Sequence, residues 1–171
     1  MISDHSTRED VIVDVPSWSF VPLMLVVGLP GSGKSMWCRA VTARTGALLI
    51  DDFKSHAPDL VFRNALKLPQ LVHAVAAGRR CIVADIDFTR TDARTDAARW
   101  LASQFPHIEP LWVFFASDPE RCRANVLADT SRNTAARLRE LDARAPVYNI
   151  PSNARVLPVW APAAEDSWDR P

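Results

Sequence analysis

The stretch Leu23-Met-Leu-Val-Val-Gly28-Leu-Pro-Gly31-Ser-Gly33-Lys34-Ser35 decides how the rest of the chain is read. Five apolar residues in a row, Leu23–Val27, read as a strand buried on both faces. The next eight, Gly28–Ser35, satisfy G-x-x-x-x-G-K-[ST], and the residues from Ser35 to Thr45 read as a helix closed by Gly46. Glycines at such a turn let backbone N–H groups face inward and wrap a phosphate, and the helix that starts there adds the positive end of its dipole. The spacing therefore points to a nucleoside-triphosphate site rather than an ordinary glycine turn. Gly28, Pro30, Gly31, Ser32, Gly33, Lys34, Ser35 and Met36 are its candidate binding residues. Lys34 can bridge the β- and γ-phosphates, and the Ser35 hydroxyl can ligate Mg²⁺. Three of only five glycines fall inside these few residues, in a chain of 171 residues that carries 13 prolines.

Outward from this turn, short apolar runs alternate with amphipathic stretches. Strands are expected at Ala47–Ile50, Cys81–Ala84, Leu111–Phe115 and Ala154–Val159. Helices are expected at Leu66–Ala77, Asp92–Gln104, Pro119–Leu127 and Ala135–Ala143. In the third helix Ala98, Leu101, Ala102 and Phe105 are expected to form the buried face. Strands separated by helices run parallel through right-handed crossovers. The expected architecture is a three-layer α/β/α domain on a mainly parallel five-stranded sheet, with ligands outside the carboxyl ends of the strands. Residues 21–160 make up this domain, with a helical lid at about 118–145; residues 1–20 and 161–171 read as appendages.

Two more strands end in acids on that same edge. Asp85 follows Cys81–Ala84 and is a candidate Mg²⁺ ligand, the competing role being a cap on the following turn. Asp51 or Asp52 ends the second strand, where a carboxylate can take the proton of an attacking hydroxyl; a solvated turn pair is the competing role. Asp87 fits a helix cap equally well. The lid carries Arg121, Arg123, Arg132, Arg137, Arg139 and Arg144 among five acids. Ion pairs along a helical face explain most of them. A mobile arm closing over the phosphates is the alternative, with Arg132 as the first candidate for transition-state contact and Arg137 as the second. Trp37 and Trp112 read as core residues.

Composition narrows the remaining classes. Twenty basic and 20 acidic residues cancel to a formal net charge of +0, which argues against a protein that coats nucleic acid but leaves room for a local basic groove. Apolar residues at 48% and charged ones at 23% exclude wholesale disorder. Cys38, Cys81 and Cys122 have neither disulfide nor zinc spacing and read as buried reduced thiols. The polar start is unlike a signal peptide, and no apolar run approaches the ~20 residues of a membrane span. A cytoplasmic protein without membrane association is expected; oligomeric state is not legible.

Together these residues resemble the P-loop kinase superfamily and, locally, the kinase half of phage-type polynucleotide kinases. Gly28-Leu-Pro-Gly-Ser-Gly-Lys-Ser-Met-Trp37 is similar to that family's G-x-P-G-S-G-K-S-T-W. Asp51-Asp-Phe-Lys54 resembles its D-D-[YF]-R, and Pro146-Val-Tyr-Asn149 its P-V-Y-N. Asp85 occupies the place of its D-T-N acid, here Asp85-Ile-Asp87. The family's Asn-Arg before the acidic pair is Leu49-Ile50 here, and lysine stands for arginine at position 54. The resemblance implies a P-loop fold, MgATP as donor and Asp51 as base. It also implies that Asp52 and Lys54 hold the acceptor and that lid arginines close over the phosphates. The implied acceptor is a polynucleotide 5′-hydroxyl; a nucleotide, sugar or other small hydroxyl compound is the alternative. A nucleotide-driven switch or ATPase without an acceptor is the reading from outside the kinases. The absence of an N-K-x-D signature favours ATP over GTP.

Overall fold

The computed structural model describes residues 16–51 and 67–161. Its strands are β1 (Leu23–Val27), β2 (Leu48–Asp51), β3 (Cys81–Ala84), β4 (Leu111–Phe115) and β5 (Arg155–Leu157). Its α-helices are α1 (Lys34–Thr45), α2 (Lys67–Ala76), α3 (Thr91–Gln104), α4 (Pro119–Ala128) and α5 (Thr134–Arg144). The strands form one sheet in the order β2-β3-β1-β4-β5, every pair parallel. Consecutive β1 and β2 are thus separated by β3, so a crossover carries α1 over the sheet between them.

All five residues of β1 are buried, and they alternate between two cores. Met24 and Val26 join Ile82, Val113, Trp37, Cys38 and Val41 under α1. Leu23, Leu25 and Val27 join Val83, Phe114, Leu71, Leu101 and Leu141 on the opposite face, where α2, α3 and α5 contribute. Each such aliphatic side chain removed from water contributes about 1.5–3 kcal/mol, which is why a continuous apolar run can be held in the central strand.

β3 and β4 fall where their apolar runs predict. β5 is shorter than Ala154–Val159, because Pro158 has no N–H to continue the ladder. The face of α3 is also different from the expected one. Ala98 and Ala102 are exposed, and Ala93, Arg94, Ala97 and Leu101 are buried. Arg94 can turn inward because its guanidinium is used: it donates to Phe88 O (2.6 Å), Thr91 Oγ1 (3.1 Å) and Asn149 O (2.9 Å) and lies over the Phe114 ring. Burial and lost hydration hold its pKa below the usual arginine value. The turn Ser17–Phe20 packs Trp18 against Trp37, so packing on α1 begins before residue 21. Trp37 is buried, and part-buried Trp112 meets Phe88 edge to face. All three cysteines are buried free thiols. Among the described residues no helix is long and apolar enough to cross a membrane.

Candidate functional site

The glycine turn leaves the carboxyl end of β1 and leads directly into α1. Gly31 (φ +83°) and Gly33 (φ +89°) adopt the left-handed conformation that side chains disfavour. Close approach reinforces the requirement. A Cβ on Gly31 would lie 2.2 Å from Cys122 O of α4, and one on Gly33 would lie 2.4 Å from Trp160 Cβ. Gly28 is similarly crowded by Ser32 Oγ at 2.5 Å. Gly33 caps α1 without a side-chain hydrogen bond, so the first-turn N–H groups remain available for an anion. Ser32 is buried, and its hydroxyl has no hydrogen-bond partner among the described residues. Lys34 is buried at the head of the helix; Pro30, Ser35 and Met36 are half-buried beside it. An inward-facing backbone, an orphaned hydroxyl and a buried ammonium fit a polyphosphate.

The acids arrive by strand register. Ala84 pairs with Val26 of β1 on one side and with Asp51 of β2 on the other. Asp85 therefore leaves the sheet one strand from the loop, and Asp51 lies two strands from it. Asp85 is buried, and its Oδ1 accepts the Asp87 N–H at 2.8 Å. One oxygen thus performs the capping role, and the other is buried as well. Cys38, one turn into α1, reports on the electrostatics here. Burial pushes its thiol up to about 12, while the Lys34 ammonium opposes the shift and the Asp51 carboxylate adds to it. Lys34 and Asp51 thus act on one buried thiol. Asp52 and Lys54 lie outside the described residues.

The predicted lid is an antiparallel helix pair. Asp118 caps α4 by accepting the Arg121 N–H, and Asn133 caps α5 by accepting the Ala136 N–H. Arg123 and Asp142 join the two helices. Arg137 bonds Asp129 at 2.7 Å and braces the intervening turn, on which Arg132 is exposed. The Ser131 hydroxyl and amide, with Arg137, hold the Asp129 carboxyl below its usual range. At the inner end, Arg144 spans Asp87 (2.7 Å) and Glu140 (2.8 Å), which ties α5 to the edge below Asp85. Those two carboxylates keep Arg144 charged against the opposing effect of burial. Ion pairing thus accounts for Arg121, Arg123, Arg137 and Arg144.

Two contributors, Asn125 and Trp160, escape sequence reading, and the P-V-Y-N element does not reveal the role of its Tyr148. The Tyr148 hydroxyl donates to Phe115 O at 2.5 Å and lies 3.4 Å from Val27 O, bracing the ends of β4 and β1 beneath the loop. Asn125 of α4 reaches the loop backbone, and Trp160 lies against Gly33. Beside the loop, Met36, Trp37, Phe115, Val159 and Trp160 line an apolar cavity of about 310 Å³.

The fold recurs among solved structures. The chain is similar to a gluconokinase from Sinorhizobium meliloti 1021, at 18% identity and a TM-score of 0.55 over 84% of this chain and 85% of that one. It is also similar to a sugar kinase from Janibacter sp. HTCC2649, at 15% identity and a TM-score of 0.56 over 83% and 87% of the two chains. The fold is the one these two kinase structures share, α/β with a mainly parallel five-stranded sheet. No protein-family model matches the sequence, and no curated protein does.

Proposed function

We propose that this protein is an ATP-dependent kinase that transfers the γ-phosphate to a hydroxyl of a small sugar-like or sugar-acid acceptor. The observation that carries the reading is the shared edge. A phosphate loop, a buried aspartate one strand away and a second aspartate two strands away all leave the carboxyl ends of neighbouring strands. The gluconokinase and sugar-kinase structures of the same fold favour a small acceptor.

In this reading the N–H groups of Gly33, Lys34 and Ser35 and the Lys34 ammonium hold the phosphates of ATP and balance charge as it moves during transfer. The Ser35 hydroxyl and Asp85 would hold Mg²⁺. Among the described residues no cluster of three or more His, Cys, Asp or Glu could hold a metal alone. That suits an ion held by few protein groups together with phosphate oxygens. Asp51 accepts the acceptor's proton, and Asp52 and Lys54 orient the acceptor. The apolar cavity beside Gly33 and Met36 takes the base by shape and stacking. Arg132, with Arg137 after exchange from Asp129, approaches the phosphates when the arm closes.

A polynucleotide 5′-hydroxyl is the second reading, favoured by Asp51-Asp-Phe-Lys54. The P-V-Y-N element lends it less weight, since Tyr148 braces strand ends and Asn149 O receives Arg94. Incubation with γ-labelled ATP and separate panels of sugars, sugar acids, nucleosides and 5′-hydroxyl oligonucleotides tests the assignment. Label on a small polyol or sugar acid is expected. Label only on oligonucleotides would replace the first acceptor class with the second, and ATP hydrolysis without labelled acceptor would contradict both.

A further inference from the structure

We infer that Asn125 is a positioning residue that couples the first lid helix to the phosphate loop and sets its affinity for the nucleotide. The inference rests on the kinase reading above and concerns its donor side. The Asn125 Nδ2 group donates to Gly31 O at 2.8 Å and to Trp160 O at 2.6 Å. One amide nitrogen carries two hydrogens, and here each has a carbonyl. The opposite orientation would set the amide oxygen against two carbonyl oxygens, so these partners fix the side-chain assignment. A third bond closes the arrangement: Trp160 N–H donates to Ser32 O at 2.9 Å. Consecutive loop carbonyls, Gly31 and Ser32, are thereby drawn outward, one toward α4 and one toward the segment after β5.

The consequence for the loop follows from peptide planarity. In a trans peptide the C=O and N–H point in opposite directions. Ser32 O faces Trp160, so the Gly33 N–H of that peptide faces away from Trp160, into the concave side of the loop. The neighbouring Ser32 N–H is occupied by Leu29 O at 3.1 Å. Asn125 holds both the loop and the segment that holds the loop. It is also on the helix that begins the arm, where Val126 and Cys122 press on Gly31. Displacement of α4 is therefore transmitted to the phosphate-binding backbone through the Asn125 hydrogen bonds as well as through the packing of Cys122 and Val126.

The test compares wild type with Asn125→Ala and Asn125→Asp, using MgADP as the binding probe and the labelled-transfer assay for kinetics. Loss of two hydrogen bonds should weaken MgADP binding by about tenfold in Asn125→Ala. Asn125→Asp should be weaker still, because a carboxylate oxygen replaces the donor opposite two carbonyls. The KM for ATP should rise in parallel, with the KM for the acceptor unchanged. A purely structural role would instead move both KM values and the melting temperature together. In ¹⁵N-labelled wild type, the Asn125 side-chain amide hydrogens should be protected from exchange, a readout that does not depend on any variant folding. MgADP binding within twofold of wild type in Asn125→Ala, or rapidly exchanging Asn125 amide hydrogens, would overturn the inference while leaving the donor site intact. A wild type that binds no MgADP would overturn the donor site itself, and the inference with it.

Discussion

The phosphate loop and the α4–α5 arm meet at one edge of the sheet but are held by different forces. The loop is fixed by backbone geometry: two left-handed glycines, carbonyls engaged by Asn125 and Trp160, and close packing against Cys122. The arm's inner face is pinned by the fully buried Cys122, Val126 and Leu141, while its solvent face is held by side-chain charges in water, with Arg123 and Asp142 about half exposed at 44% and 59%. Only at its inner end does the arm gain a sheltered pair, Arg144 with Asp87, at 17% and 12% exposure. Fixed backbone suits a group that must present N–H donors without reorganising during reaction. Exposed pairs can exchange partners at little cost, which suits an element that opens and closes.

Substitutions can break this contrast at graded points. The largest effect belongs to Lys34→Ala, which should lower transfer by about 100- to 1,000-fold by removing the fixed positive charge at the loop. Labelled-phosphate kinetics would read it. Gly33→Ala comes next, combining a left-handed backbone with a Cβ 2.4 Å from Trp160; chemical denaturation should show a loss of about 2–3 kcal/mol. Arg144→Ala should cost about 2 kcal/mol, between the values for exposed and buried pairs, because it strips a sheltered carboxylate of its arginine. That variant should also raise hydrogen exchange across α5 while leaving the loop protected. Arg123→Ala is the smallest: an exposed pair predicts at most about 0.5 kcal/mol, diminishing with added salt. A large effect there, in thermal melts over a salt series, would contradict the view of the arm's solvent-face pair as loosely held.

The same contrast explains what could be read in advance. β1, β3 and β4 were legible because strands buried on both faces must be continuous apolar runs, and few local arrangements other than a phosphate loop need this glycine spacing. Asp51 and Asp85 were legible as strand ends, because each closes an apolar run, β2 and β3. The supports were not. Asn125 sits in a helix of ordinary polar appearance, and its loop partner is 94 positions away. Tyr148 braces Phe115 from 33 positions away, and Arg94 meets Asn149 from 55. Periodicity assigns an arginine to the surface, so it does not reveal the buried face of α3, on which Arg94 turns inward. Local pattern reveals which backbone must be buried; it carries no record of which distant carbonyl a polar side chain will reach.

The most direct measurement compares wild type with Asp51→Asn in one γ-labelled ATP experiment, with MgATP affinity determined in parallel. The account predicts labelled acceptor from wild type, a fall of about 100-fold in Asp51→Asn for want of a base, and nearly equal MgATP affinity. Undiminished transfer by Asp51→Asn, or ATP consumption by wild type with no acceptor labelled, would contradict it.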